Sequence, residues 1–178
     1  MKTIAVLVGS NRKESLNLKF ARALEKLAEG RLKFDFVDLA AIPMFNDDQV
    51  ADMPAPARLL KEKVAAADGL LFVTPEYNRS IPALMKSAID WGTRPPKENV
   101  FAGKRGAIAG ATPGAVGTAA AQMHLRAILV STGVLLHGRP EVFFQAKPGL
   151  IGDDLTFTDE GTREFLSGFI DTLAAWVA

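Results

Sequence analysis

Short apolar runs alternate along this chain with stretches whose apolar positions recur at helical spacing. Thr3–Val8 is a continuous apolar run closed by Gly9, the pattern of a strand buried on both faces of a parallel sheet. Leu16, Phe20, Leu24 and Leu27 then follow at helical spacing with Lys19, Arg22, Glu25, Lys26 and Glu29 between them, and Gly30 stands where a C-cap belongs. Leu32–Leu39 alternates as a second strand. Pro54 or Pro56 opens a helix that runs to Ala67, with Leu59, Leu60 and Val64 inward. Gly69–Thr74 is a third strand, and Ile81–Trp91 a helix with Pro82 in its first turn. Arg105–Gly110 is a fourth strand, followed by a long alanine-rich helix over Val116–Ser131. Val134–Leu136, alone or joined by Val142–Phe144, makes the fifth strand, and Glu160–Trp176 is an amphipathic helix on Phe165, Phe169, Leu173 and Trp176.

Such alternation predicts an α/β fold: a parallel sheet between two helical layers, a three-layer α/β/α sandwich. Right-handed crossovers leave few arrangements for five strands, and the common one has the order 2-1-3-4-5, the flavodoxin-like sheet. With 178 residues and neither a repeat nor a linker, the expectation is a single domain over 1–178. In that sheet order the topological switch lies between strands 1 and 3, so a ligand belongs on the loops leaving those two strands.

Composition narrows the chemistry. Cysteine is absent, which excludes disulfides, thiol nucleophiles, iron–sulfur clusters and cysteine zinc sites. His124 and His137 are the only histidines, which argues against a histidine metal centre, and no metal is expected. Twenty-one basic and 20 acidic residues give a net charge of +1, so no general field draws in nucleic acid or an anionic membrane. The uncharged stretch Gly106–Met123 is broken by Gly110, Pro113, Gly114 and Gly117 and reads as strand, loop and helix start, not as a membrane span. The N-terminal apolar run meets polar and charged residues at once with no cleavage site, so the cytoplasm is the expected compartment.

The two loops at the switch carry the unusual polar residues. After strand 1 comes Gly9-Ser10-Asn11-Arg12-Lys13-Glu14-Ser15-Leu16-Asn17. A phosphate at a helix start meets free backbone N–H groups and the positive end of the dipole, and Ser10, Ser15, Asn17 and Arg12 can add donors. On spacing alone Ser15 reads equally as an ordinary N-cap and Arg12 as a solvated charge. The loop lacks both the dinucleotide glycine fingerprint and the terminal Gly-Lys-Ser/Thr of a P-loop, which favours a mononucleotide phosphate. After strand 3, Thr74-Pro75-Glu76-Tyr77-Asn78-Arg79-Ser80-Ile81-Pro82 sets an aromatic ring and polar groups between prolines, suited to a planar heterocycle.

Gly-Ser-x-Arg-x-x-Ser-x-Asn at 9–17 and Pro-Glu-Tyr-Asn at 75–78, followed by Ser80-Ile81-Pro82-Ala83-Leu84-Met85-Lys86-Ser87-Ala88-Ile89-Asp90-Trp91, resemble the NADPH-dependent FMN reductase family. Within it the likeness is to the bacterial quinone and chromate reductases, and it is collinear from strand 1 to about Phe144. The resemblance implies that Ser10, Arg12, Ser15, Leu16 and Asn17 hold the FMN phosphate. It also implies that Pro75, Glu76, Tyr77 and Asn78 border the flavin ring, and that Thr112, Pro113 and Gly114 form its third side.

That family chemistry belongs to the flavin, so no catalytic side chain is assigned. A reduced nicotinamide, from NADPH or NADH, would give hydride to the flavin N5, and a quinone would take both electrons. Chromate, azo and nitro compounds are side substrates at most. Backbone N–H groups of Glu76, Tyr77 and Asn78 would stabilise negative charge on the ring. His124 reads as a packed or surface histidine, His137 as a polar strand terminus, and Trp91 as core or interface. The competing class is a flavodoxin-like FMN electron carrier without substrate turnover, against which Arg12 and the neutral net charge weigh. Apolar surface on the helices at 83–91 and 116–131 predicts a homodimer or homotetramer. Arg126 of one subunit is expected to meet Glu141 of another.

Overall fold

The structure, a computed structural model, describes residues 1–178. Six strands alternate with five helices: β1 (Lys2–Val8), α1 (Leu16–Leu27), β2 (Leu32–Val37), α2 (Ala55–Ala66), β3 (Gly69–Val73), α3 (Ala83–Gly92), β4 (Arg105–Thr112), α4 (Ala119–Ser131), β5 (Leu135–Leu136), β6 (Val142–Gln145) and α5 (Glu160–Trp176). All pairings in the sheet are parallel and the order is β2-β1-β3-β4-β5, as expected from the alternation. The fifth position holds two pieces: β5 pairs with the start of β4 and β6 with its end, and the chain between them swings out over His137–Glu141.

β3 is buried at every residue, which is why its sequence is apolar throughout. Alternate residues along the central strands feed two cores. Ile4, Val6, Leu71, Val73, Ala107 and Ala109 pack toward α1 and α5. Ala5, Leu7, Leu70, Phe72 and Ile108 pack toward α2, α3 and α4. Phe20 of α1 stacks on Phe144 of β6 with ring centroids 4.8 Å apart, joining the helix that begins at the first loop to the far edge of the sheet.

Several boundaries and faces differ from the sequence reading. α2 buries Ala57, Leu60 and Val64, leaving Leu59 a hundred degrees round the helix and 49% exposed. In α5 the inward stripe is Leu166, Phe169, Ile170 and Leu173, and Phe165 faces out. α3 starts at Ala83, because Pro82 has extended backbone and serves as N-cap. α4 starts at Ala119 because Gly117 and Thr118 both adopt left-handed backbone, φ 62° and 71°. At Gly117 a Cβ would lie 2.5 Å from the carbonyl of Phe143, so the chain passes β6 more closely than any side chain allows.

Candidate active site

The carboxyl ends of β1, β3 and β4 carry three loops, and the sequence-predicted residues divide among them. Ser15 is the N-cap of α1, its Oγ accepting the N–H of Leu18 at 3.1 Å. Lys19 N–H bonds Ser15 O, so the N–H groups of Leu16 and Asn17 lie ahead of the first intrahelical bond and point out of the helix start. Arg12 is exposed and makes no ion pair within the chain; its backbone N–H approaches Ser10 Oγ at 3.5 Å. Gly9 brings this loop against the next one, for a Cβ there would lie 3.2 Å from Met85 Cε and 3.4 Å from Pro75 Cδ. Free N–H groups, the dipole of α1 and an unspent guanidinium together form a corner that fits a phosphate monoester.

Asn17 has a second task beside the one expected of it. Its amide is buried and points to β4, where Nδ2 donates to Ala111 O and Oδ1 accepts from Ala111 N, both at 2.9 Å. One N–H and the oxygen of the amide are spent on that backbone. The side chain braces the first loop against the third.

The β3 loop is built on a tight turn. Tyr77 and Ser80 exchange both backbone hydrogen bonds at 3.0 Å, and Asn78 and Arg79 between them have φ 51° and 64°. That is a type I′ pattern, closed by Asn-Arg where Asn-Gly is usual. Tyr77, 48% exposed, stands on the turn facing solvent. Its N–H is consumed by Ser80 O, which removes it from the backbone donors expected for the ring.

Glu76 reaches elsewhere. Its Oε2 accepts the N–H of Ala121 in the first turn of α4 at 3.1 Å. The reason is local: the N-cap of that helix is Thr118 in left-handed conformation, with no side-chain capping bond of its own. A carboxylate from the neighbouring loop satisfies the orphan donor and meets the positive end of the helix dipole. On the same side, His124 Nδ1 lies 3.1 Å from Ser80 Oγ, so this exposed histidine ties α4 to the turn. Neither contact had a signal in the sequence, since each spans more than forty residues.

The third loop, Thr112-Pro113-Gly114, is an open turn in which Thr112 Oγ1 accepts from Gly114 N at 3.3 Å and Pro113 O from Gln145 at 3.4 Å. Buried Gln122 holds the base of this region, its Nε2 donating to Thr118 Oγ1 at 2.9 Å and Val142 O at 2.8 Å. Gly110 is required where β4 passes beneath the site, because a Cβ would lie 2.4 Å from Thr74 O.

Outside the three loops, Trp91 is fully buried and donates from Nε1 to Pro43 O at 2.9 Å. His137 is also buried, edge-on to Phe169 at 5.6 Å with neither ring nitrogen partnered, and burial followed by the Arg126 charge lowers its pKa. Arg126 pairs with Glu141 at 3.5 Å inside one chain. The pair leaves Glu141 36% and Arg126 22% exposed at the side chain, so both reach the surface of the single chain.

Comparison with known proteins follows the same lines. The family model described as NADPH-dependent FMN reductase matches residues 2–148. A 2-hydroxy-1,4-benzoquinone reductase of Burkholderia is 45% identical over 174 residues, covering 98% of this chain and 95% of that protein. A quinone reductase of Pseudomonas putida is 39% identical over 176 residues, covering 98% and 94%. Among solved structures, FerB of Paracoccus denitrificans, a flavoenzyme NAD(P)H:(acceptor) oxidoreductase, superposes with a TM-score of 0.97 at 44% identity over 99% of this chain and 97% of that one.

Proposed function

This chain belongs to the NADPH-dependent FMN reductase family, and from that membership we infer an FMN-dependent NAD(P)H oxidoreductase that delivers electron pairs to quinones. The observation that carries the inference is the unspent anion corner at Arg12 and the start of α1, set beside the rigid turn at 77–80.

The residues fit FMN better than FAD. The corner supplies donors for one phosphate, from Arg12, Ser10, Ser15 and the N–H groups of Leu16 and Asn17, and it has no second glycine approach for a pyrophosphate. When bound, the flavin supplies the redox chemistry, taking hydride from the nicotinamide and passing two electrons to the acceptor. The protein positions and shields. Pro75, buried against Gly9, and the two-way bonds of Tyr77 and Ser80 make a stiff wall for a planar ring. Glu76 keeps that wall docked on α4, and Asn17 keeps the phosphate loop docked on β4, so the two halves of the site hold their spacing. The N–H groups of Glu76 and Asn78 remain for a ring that gains negative charge.

Within this reading, residues 1–178 form one FMN-binding domain, with quinones as acceptors and chromate, azo and nitro compounds as side substrates. No helix is long and apolar enough to cross a membrane. A cytoplasmic location suits an enzyme that draws on reduced nicotinamide. Self-association as a homodimer or homotetramer is supported by α4, whose outer face carries Met123, Ala127 and Val130 at helical spacing, Val130 being 64% exposed.

Steady-state oxidation of NADPH and NADH by the FMN-loaded protein, with a benzoquinone as acceptor, tests the enzyme reading. Turnover in the range of tens per second is of the order usual for enzymes. A protein that retains FMN yet consumes neither dinucleotide is an electron carrier instead.

A further inference from the structure

We propose that Arg79 is a binding residue for the phosphate groups of the incoming nicotinamide dinucleotide, an inference that rests on the oxidoreductase reading above. Arg79 occupies the second central position of the turn at 77–80, with φ 64°. Type I′ turns take glycine there, because left-handed backbone crowds a Cβ. Asn78 tolerates its own positive φ, since a short polar side chain bonds locally. Arginine draws no such benefit, and a non-glycine residue held in this region points to work done by its side chain.

The guanidinium is free to do that work. Its side chain is 74% exposed, and the nearest carboxylate, Glu76, stands 4.0 Å away. The other oxygen of Glu76 is already committed to Ala121 N. An exposed pair at that separation holds an arginine only weakly. Arg79 is also placed apart from the FMN phosphate corner, on the loop after β3 and not on the loop after β1. A nicotinamide that comes to the ring bordered by this loop brings its anionic phosphates past the turn. A planar guanidinium matches phosphate oxygens through paired N–H donors, and the phosphate can be the pyrophosphate bridge or the 2′-phosphate of NADPH.

The test compares Arg79→Gly and Arg79→Lys with the wild type. Glycine is the residue the turn itself prefers, so the first variant removes the charge and keeps the backbone. The expected result for Arg79→Gly is a KM for NADPH raised roughly tenfold with kcat retained, the signature of lost uniform binding. Calorimetric affinity of NADP+ for the FMN-loaded protein should fall by a similar factor, with FMN affinity unchanged. Arg79→Lys should lie between, and the gap should shrink at high salt. A loss confined to NADPH assigns the 2′-phosphate; an equal loss with NADH assigns the pyrophosphate. Unchanged KM and NADP+ affinity in Arg79→Gly overturn the proposal and leave the enzyme reading standing. Loss of FMN in that variant also overturns it, since the side chain would then serve the flavin. A wild type that oxidises neither dinucleotide overturns both readings.

Discussion

The carboxamide of Asn17 bonds the backbone of Ala111 in both directions, Nδ2 to O and N to Oδ1, each at 2.9 Å. One side chain from the first turn of α1 thereby fixes the end of β4 as a further strand would. Asn17→Ala leaves a buried N–H and C=O unpartnered. The expected cost is about 1–3 kcal/mol of stability, read by chemical denaturation, with weaker FMN binding as the two loops lose their spacing. Denaturation midpoints equal to wild type would show that the brace contributes nothing.

Arg12 is predicted to hold FMN through its phosphate. A charged hydrogen bond is worth roughly 1.5–3 kcal/mol, so Arg12→Ala should weaken FMN by about one to two decades. Riboflavin, which has no phosphate, should bind both proteins alike in a fluorescence titration. Equal FMN affinity would make Arg12 a solvated surface charge.

Glu76 is predicted to act through α4. Glu76→Ala removes the acceptor for Ala121 N–H and should cost about 0.5–2 kcal/mol, in the range of a lost cap. Glu76→Gln keeps a carbonyl oxygen in place and should recover most of the melting temperature. If glutamine melts as low as alanine, the hydrogen bond is not what the carboxylate supplies.

Acid sensitivity is predicted at His137, whose pKa is lowered from 6.5 by burial and then by Arg126. A histidine that resists protonation when folded takes up its proton first in the unfolded chain, so unfolding is favoured as pH falls through 6.5. Melting temperature should therefore rise as pH increases toward 6.5 and flatten above it. His137→Phe, which keeps a ring against Phe169, should reduce that slope. An undiminished slope would place the titration elsewhere.

Assembly is predicted to run through α4. Val130→Glu puts a charge in the outer apolar stripe and should shift sedimentation toward monomer, while Arg126→Glu should act on the fold of its own chain through Glu141. A wild type that sediments as a monomer at micromolar concentration ends the oligomeric reading.

The sequence by itself determined the order of elements, the parallel sheet and the two polar loops at its topological switch. Runs such as Gly69–Val73 can only be buried on both faces, and an apolar period read over a few residues is a local property. The proposed phosphate corner was also legible there, because Arg12 and Ser15 are close in the chain. What each polar side chain does within the site was decided by tertiary structure. Asn17 became a brace because Ala111, 94 residues on, presents its backbone groups beside it. Glu76 turned to α4 because Thr118 caps nothing, and Glu141 found Arg126 of its own chain, fifteen residues back on α4. A buried hydrogen-bonding group takes whichever partner the fold brings within reach, and that partner is set by packing across the whole chain, which local sequence does not encode.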